Sequence, residues 1–305
     1  AFGLPIIQGI DIKIKNPQSI IIAPTRELCM QIQNDLTDFS SLIKELKIVA
    51  VYGGASVTKQ INELKRNAQI IVATPGRLLD LINRKSIILD NVKIIVLDEA
   101  DEMLNMGFRD ELDDILIKIP SNRLVWLFSA TMAKGVSRIA NNYLKNPHEV
   151  SVDGRNQSAK NIEHFAFIIN EKDRFEALKR ILDYLPDIYG VVFCRTRAET
   201  QKIAEKLIAN HYTAEALHGD LSQKQRDAVM MKFRQKSIKI LVATDVAARG
   251  IDVDDISHVI QYKLSDEVEA YTHRSGRTAR AGKSGVSITL LNTRERSKIK
   301  QLENK

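Results

Sequence analysis

Short runs of apolar and mostly β-branched residues recur along the chain, and longer amphipathic stretches separate them. Runs such as Ile94-Ile95-Val96-Leu97 are apolar at every position, a pattern typical of parallel strands that are covered on both faces. Strands that alternate with helices in this way predict doubly wound α/β architecture. The predicted strands cover residues 19–23, 48–52, 70–73, 94–97, 124–128, 165–169, 191–194, 238–243, 258–262 and 286–291.

The length of 305 residues favours two domains, because a single hydrophobic core rarely grows that large. With 44% hydrophobic and 27% charged residues, the composition excludes collagen-like and wholly disordered chains. Residues 146–160 carry Pro147, Gly154 and no apolar periodicity, so they are the predicted linker. We expect domains at residues 1–153 and 154–305.

The two halves also resemble each other. The segment Ile22-Ala23-Pro24-Thr25-Arg26 matches Phe193-Cys194-Arg195-Thr196-Arg197 in pattern, at an offset of 171 residues. Ala73-Thr74 matches Ala243-Thr244 at an offset of 170 residues, and Gly53-Gly54 matches His218-Gly219 at an offset of about 165. Nearly constant offsets at the ends of predicted strands indicate one α/β unit present twice.

Composition also limits the environment of the protein. No stretch approaches 18 uninterrupted apolar residues, so we expect neither a membrane span nor a secretory signal. Cys29 and Cys194 are too few for a disulfide scaffold, which favours a reducing, cytoplasmic setting.

The basic residues are unevenly distributed along the chain. Residues 1–153 contain 18 basic and 18 acidic side chains, whereas residues 154–305 contain 27 basic and 20 acidic side chains. This basic excess indicates either an ordinary solvated surface or a surface that binds a polyanion such as nucleic acid.

Carboxylates follow the apolar run at residues 94–97 directly, as Asp98-Glu99-Ala100-Asp101. In a parallel sheet they lie at the carboxyl edge, where ligands bind. The first Asp can hold Mg²⁺ through its waters, and the adjacent Glu can orient or deprotonate an attacking water. The pattern predicts nucleotide hydrolysis.

Three arginines spaced by three residues, Arg274, Arg277 and Arg280, form a second cluster. On a helix this spacing would place them on one face. Clustered guanidinium groups can stabilise the charge that builds up on a transferring phosphoryl group. The alternative is a basic surface helix that binds nothing.

Taken together, these motifs resemble those of the DEAD-box ATP-dependent RNA helicases of superfamily two, over nearly the whole chain. The resemblance implies two tandem RecA-like domains, with ATP, Mg²⁺ and RNA as ligands. It rests on segments that occur in the family's order: Pro24-Thr25-Arg26-Glu27-Leu28, Gly53-Gly54, Thr74-Pro75-Gly76-Arg77, Asp98-Glu99-Ala100-Asp101, Ser129-Ala130-Thr131, Val192-Phe193-Cys194-Arg195-Thr196, Gln223 with Arg226, Ala243-Thr244-Asp245, Arg249-Gly250-Ile251-Asp252, and His273 through Arg280.

The resemblance implies that one group of these residues contacts the RNA backbone without reading the base sequence. Their hydroxyls, guanidinium groups and glycine N–H groups suit phosphate binding. The group comprises Pro24, Thr25, Arg26, Gly53, Gly54, Thr74, Pro75, Gly76, Arg77, Arg195, Thr196, Gln223, Arg226, Thr244 and Gly250.

A second group is implied on the ATP side. Asp98 would hold Mg²⁺ through water, Glu99 would act on the attacking water, and Arg277 and Arg280 would contact the γ-phosphate. Asp245 would meet the ribose. The remaining members are Asp101, Ser129, Thr131 and His273, which would couple the domains, and Gly250 and Asp252 beside the nucleotide.

The P-loop that this family needs is absent from the 305 residues. Ala1-Phe2-Gly3-Leu4-Pro5 resembles the stretch that follows the P-loop lysine, so we expect a first domain that is truncated at its N-terminus and turns over ATP poorly.

The first hypothesis is an ATP-dependent helicase that locally unwinds short RNA duplexes. The alternative is a non-catalytic RNA clamp or assembly factor, and DNA translocation is disfavoured. We expect the protein to be a monomer that binds no membrane and that associates with ribonucleoproteins.

Overall fold

The computed structural model describes residues 1–151, 161–248, 253, 255–265, 268–279 and 283–303. The chain divides into two compact units, Ala1–Arg155 and Asn156–Lys305, called unit 1 and unit 2 below. The boundary predicted between residues 153 and 154, and most of the predicted linker, lie outside the described residues.

Unit 1 is a five-stranded parallel sheet with helices on both faces. Its strands are β1 Ser19–Ile22, β2 Ile48–Val51, β3 Ile70–Ala73, β4 Ile94–Leu97 and β5 Leu124–Leu127. Its helices are α1 Gly3–Gly9, α2 Arg26–Phe39, α3 Val57–Leu64, α4 Pro75–Asn83, α5 Ala100–Asn105, α6 Arg109–Lys118 and α7 Lys134–Tyr143. The strand order is β2-β3-β1-β4-β5.

Burial on both faces explains why the central strands of unit 1 are apolar at nearly every position. In β1, Ile20 and Ile22 enter the core that also contains Leu78 and Leu112, whereas Ile21 enters the core beneath α1 and α2. These three isoleucines are all 0% exposed. Alternate side chains point to opposite faces of a strand, so both faces need apolar residues when helices cover both.

Unit 2 contains six parallel strands in the order β6-β11-β10-β7-β9-β8. The strands are β6 Ile162–Ile168, β7 Gly190–Cys194, β8 Ala214–Leu217, β9 Ile240–Thr244, β10 His258–Gln261 and β11 Gly285–Leu291. The helices are α8 Arg174–Tyr184, α9 Arg197–Ala209, α10 Gln223–Arg234, α11 Asp245–Ala248, α12 Val268–Ser275 and α13 Arg296–Glu303, with 3-10 turns at Glu171–Asp173 and Thr293–Glu295.

The two sheets share one topology. If β7, β8, β9, β10 and β11 are matched to β1, β2, β3, β4 and β5, both orders are the same, and β6 is an additional edge strand. The predicted fold of two RecA-like parallel-sheet domains is therefore confirmed. All ten predicted strands are present, and β8 is an additional strand that was not predicted.

Two further observations bear on the sequence expectations. No helix in the described part of the chain is long and apolar enough to span a membrane. Cys29 and Cys194 are free and buried, and burial raises the pKa of both thiols. Both cysteines pack within the hydrophobic cores.

Candidate functional site

Asp98 and Glu99 stand at the carboxyl end of β4. The Asp98 N–H donates to the Ile22 carbonyl at 2.9 Å and so extends the sheet by one residue. Glu99 then adopts φ 50° and ψ 52°, in the left-handed region, immediately before α5. A side chain with a Cβ pays about 1 kcal/mol or more to remain there. The strained turn therefore follows the sheet edge directly, and both carboxylates lie at the carboxyl end of β4.

The Asp98 carboxyl is mostly buried, and its pKa is raised to about 6. Burial is the largest cause, and the neighbouring Glu99 charge adds to it, although the Glu99 N–H donates to Asp98 Oδ1 at 3.1 Å. Crowded carboxylates with excess negative charge suit a hard cation. In the described part of the chain, no three His, Cys, Asp or Glu side chains form a cluster that could hold a metal ion directly.

Asp101 connects α5 to the loop after β5. Its Oδ2 accepts hydrogen bonds from both the N–H and the hydroxyl of Thr131, each at 2.9 Å, and both residues are buried. The Ser129 hydroxyl donates to the Thr131 carbonyl at 2.7 Å. Ser129, Thr131 and Asp101 therefore form one hydrogen-bonded group within unit 1.

Thr25 begins α2, where its hydroxyl accepts a hydrogen bond from the Leu28 N–H at 3.2 Å. Pro24 and Thr25 are buried, whereas Gly53 and Gly54 are exposed. The Arg26 guanidinium lies over the Tyr52 ring, 4.5 Å from its centroid. Gly54 has φ +78°, and a Cβ there would stand 3.7 Å from Arg26 Nη1. The first two predicted RNA-binding segments therefore meet at Arg26.

The third segment in unit 1 supports the same loop. Thr74 precedes α4, which begins with Pro75, and Gly76 is exposed. Arg77 donates from Nη1 and Nη2 to the Ala55 carbonyl at 3.3 and 3.2 Å, and also from Nη1 to Gln60. The Arg77 side chain therefore braces the glycine loop.

In unit 2, Thr196 begins α9 in the same way, and its hydroxyl accepts from the Glu199 N–H at 3.2 Å. Arg195 is exposed, and its N–H donates to Glu199 Oε2. Gln223 and Arg226 lie on the first turn of α10, next to the capping residue Ser222. The Gln223 side chain donates to Asp227 at 2.7 Å.

Asp245 follows Thr244 at the carboxyl end of β9, and Arg274 occupies both of its carboxylate oxygens. Arg274 donates from Nε and Nη2 to Asp245 at 2.5 and 2.8 Å and from Nη1 to the Lys263 carbonyl at 2.8 Å. The Arg274 side chain is 2% exposed. A ribose at Asp245 would therefore share the carboxylate with this bidentate pair.

The prediction that three arginines share one helical face is wrong. Helix α12 ends at Ser275, and the Gly276, Arg277 and Thr278 N–H groups donate to carbonyls of residues 272, 274 and 275 in a tightening turn. Arg274 is consequently buried, whereas Arg277 is partly exposed and donates from Nε to the His273 carbonyl at 3.3 Å. Arg280, Gly250 and Asp252 lie outside the described residues.

Sequence reasoning missed Tyr52, Gln60 and the pairing of Arg274. Gln60 had a detectable signal, because it lies between Val57, Ile61 and Leu64 on the apolar face of α3. A polar side chain in such a stripe indicates a buried hydrogen-bond partner. The Arg274 pairing carries no comparable local signal.

Comparisons with known proteins agree with this architecture. Residues 1–139 match the family described as DEAD/DEAH box helicase, and residues 173–282 match the helicase conserved C-terminal domain. The ATP-dependent RNA helicase CshA of Listeria monocytogenes is 45% identical over 99% of this chain. The chain spans 58% of that relative's length.

Solved structures give the same result. Dbp5 of S. cerevisiae, bound to RNA and ADP BeF3, is 30% identical with a TM-score of 0.90, covering 100% of this chain and 79% of that one. A DEAD box protein from the hyperthermophile Methanococcus jannaschii is 42% identical with a TM-score of 0.55, covering 99% of this chain and 81% of that one. With its motifs at the carboxyl edges of two RecA-like sheets, the chain belongs to the DEAD-box helicase family.

Proposed function

We propose that this protein is an ATP-dependent RNA helicase that hydrolyses ATP when RNA is bound and separates short duplexes locally. The observation that carries the proposal is the Asp98-Glu99 pair at the carboxyl end of β4, with Glu99 held in a left-handed turn. A carboxylate fixed at a ligand-binding sheet edge can orient water for attack on a phosphate. The family to which the chain belongs uses ATP.

On the ATP side, Asp98 would hold Mg²⁺ through coordinated waters. When bound, the cation supplies positive charge that offsets the negative charge of the phosphates. Glu99 accepts the proton of the attacking water, because an ionised carboxylate within hydrogen-bond reach can act as a general base. Arg277 of unit 2, with Arg280, supplies positive charge to the γ-phosphate.

On the RNA side, the two threonine-capped helices and the glycine loops offer N–H groups and arginines to backbone phosphates. Donors of this kind do not read base edges, so binding is independent of sequence and depends strongly on salt. We expect a slope of about −0.7 in log affinity against log salt for each phosphate neutralised on a single strand.

The test is phosphate release and duplex separation with and without RNA. Because the 305 residues lack a P-loop, the assay compares this chain with a longer chain that carries a P-loop ahead of Ala1. We expect RNA-stimulated turnover and ATP-dependent strand separation in the longer chain, and little turnover in the shorter one. Equal rates in both chains would mean that the phosphate site has been misassigned.

The alternative, a non-catalytic RNA clamp, is not favoured, because the relatives that the chain resembles are ATP-dependent RNA helicases. The same assay separates the two hypotheses. A longer chain that binds RNA and ATP without releasing phosphate would be a clamp, whereas one that turns over ATP is an enzyme.

A further inference from the structure

Arg26 lies against the Tyr52 ring without using its own hydrogen-bond donors for that contact. The guanidinium lies over the Tyr52 ring, 4.5 Å from its centroid, and a Cβ on Gly54 would stand 3.7 Å from Nη1. Arg26 Nε is buried and has no hydrogen-bond partner among the described residues. A guanidinium held by an aromatic face keeps its charge uncompensated, because the attraction comes from the ring quadrupole and not from an anion.

Gln60 fixes the segment that carries Tyr52. It is 4% exposed, its Nε2 donates to the Tyr52 carbonyl at 3.2 Å, and its Oε1 accepts from Arg77. Arg77 also donates to the Ala55 carbonyl, three residues further along the loop. Gln60 therefore joins the start of the glycine loop to α4.

We propose that Tyr52 and Gln60 are positioning residues that hold Arg26 ready for a backbone phosphate of RNA. This rests on the proposed function. Tyr52 sets the plane of the guanidinium, and Gln60 fixes the backbone that places Tyr52. Because neither residue takes up the positive charge of Arg26, the guanidinium is oriented before RNA arrives and loses less conformational freedom on binding.

A purely structural role would not need these residue types. Leucine at position 60 would continue the apolar stripe of α3 without burying an amide, which has to be hydrogen-bonded to avoid a desolvation cost. An aliphatic side chain at position 52 would fill the same space without offering a π face to the arginine. The amide at position 60 and the aromatic ring at position 52 are therefore explained by their contacts with the loop and with Arg26.

The first experiment measures binding of a fluorescein-labelled single-stranded RNA to the full chain in low salt by anisotropy. Tyr52→Leu should weaken binding about three- to tenfold, since the cation–π contact is lost. Tyr52→Phe retains the ring face and should bind like wild type. If Tyr52→Leu does not fold, replacement of Tyr52 by a ring-fluorinated phenylalanine weakens the quadrupole at nearly unchanged shape and should reproduce the loss.

The decisive measurement is a double-mutant cycle. Arg26→Ala should weaken RNA binding roughly tenfold or more, as expected for the loss of a charge-assisted hydrogen bond. If Tyr52 acts through Arg26, Tyr52→Leu should have no further effect in the Arg26→Ala background. Additive losses would mean that Tyr52 supports the loop generally, and the positioning role would be rejected.

Gln60 is tested against a matched control. Gln33 is a half-buried glutamine on α2 of unit 1, and its Nε2 donates to the Ile48 carbonyl at 3.0 Å, at the opposite end of β2 from Tyr52. Gln60→Leu should weaken RNA binding several-fold under conditions in which the variant is fully folded, whereas Gln33→Leu should leave binding unchanged. Equal effects of the two variants would overturn the proposal for Gln60.

The outcomes distinguish this inference from the proposed function. If the wild-type chain binds no RNA at any salt concentration, the proposed function fails and the inference fails with it. If the wild-type chain binds RNA and Arg26→Ala weakens binding, but Tyr52→Leu does not, only the positioning role fails.

Discussion

Two threonines start corresponding helices in the two units with nearly the same backbone. Thr25 has φ −124° and ψ 154°, Thr196 has φ −125° and ψ 154°, and each hydroxyl accepts from the N–H three residues later at 3.2 Å. An arginine follows each threonine, and each arginine approaches a glycine of the next loop, Gly54 or Gly219. The backbone framework is therefore repeated closely.

The partners of the two arginines differ. Arg26 lies over the Tyr52 ring, which does not neutralise the positive charge of the guanidinium. Arg197 Nη1, in contrast, pairs with the negative charge of Asp220 Oδ1 at 2.6 Å. Both members of the second pair are more than half exposed. Repetition of the fold has preserved the place of the arginine but not its electrostatic environment.

The sheet edges differ in the same way. After β4, unit 1 presents Asp98 and Glu99, but after the matching strand β10, unit 2 presents Tyr262 and Lys263. One topology therefore carries carboxylates in unit 1 and a buried arginine, Arg274, beside the corresponding edge of unit 2. The comparison indicates that the loops after the strands specify chemistry, and that the sheet provides a common support.

The largest effect is expected for the arginines of unit 2. Arg277→Ala should reduce RNA-stimulated turnover in the longer chain by about 10³-fold or more, because the proposed role of Arg277 is to supply positive charge to the γ-phosphate. Nucleotide-free RNA binding and the unfolding midpoint should change little. Single-turnover phosphate release measures the effect.

Arg274→Ala provides the contrast for that variant. It should lower the free energy of unfolding by about 2–3 kcal/mol, because it leaves Asp245 without its buried partner. If Arg277→Ala instead destabilised the protein and left turnover intact, Arg277 would belong with Arg274 as a structural residue.

The next effect concerns the carboxylates of unit 1. Glu99→Gln should reduce turnover by about 10²–10⁴-fold, because an amide can hydrogen-bond water but cannot take its proton. ATP and RNA binding should persist. Glu63→Gln, a neutralised exposed glutamate on α3, is the matched control and should turn over normally. A loss of only a few-fold for Glu99→Gln would remove the residue from the role.

A stability effect should accompany the buried charge at the same edge. The folded pKa of Asp98 is raised to about 6 from 3.8, so ionisation opposes folding. This cost is absent below about pH 3.8, grows between the two values and is complete above pH 6. Asp98→Asn should therefore raise the free energy of unfolding by up to about 3 kcal/mol at pH 8, and by little at pH 4, while reducing turnover.

Urea unfolding of unit 1 measures this, since the chain has 1 Trp, Trp126, on β5. Asp110→Asn, on the exposed surface of α6, is the control and should show no such pH dependence. A gain at pH 4 equal to that at pH 8 would contradict the assignment to ionisation.

The smallest effect tests the two arginines directly. Asp220→Asn should make Arg197 resemble Arg26 by removing its anion, and RNA affinity should rise about two- to fivefold at low salt, the scale of one exposed ion pair. Anisotropy over a salt series measures the change, which should shrink as salt screens the charge. A fall in affinity would mean that Asp220 orients Arg197 for RNA, contrary to the contrast between the units.

Local pattern was sufficient to predict much of this protein. Short, mostly apolar runs predicted ten of the strands, and runs that are apolar at every position, such as Ile94–Leu97, indicated burial on both faces. Repeated offsets predicted the duplicated unit, and the acids after residues 94–97 predicted the sheet edge at which the candidate site lies. Burial and the nearest few residues determine these features, so they can be read from neighbouring positions.

Tertiary structure alone decided the rest. Ala-Glu-Ala-Leu forms β8 only because β9 offers a parallel edge to pair with. Arg274 and Arg277 are three residues apart in a predicted helix, yet α12 ends between them, and one is buried against Asp245 while the other is partly exposed. Tyr52 and Asp220 give two equivalent arginines opposite environments. These outcomes depend on which distant side chains the folded sheet brings together, and such contacts leave no periodic signal in the sequence.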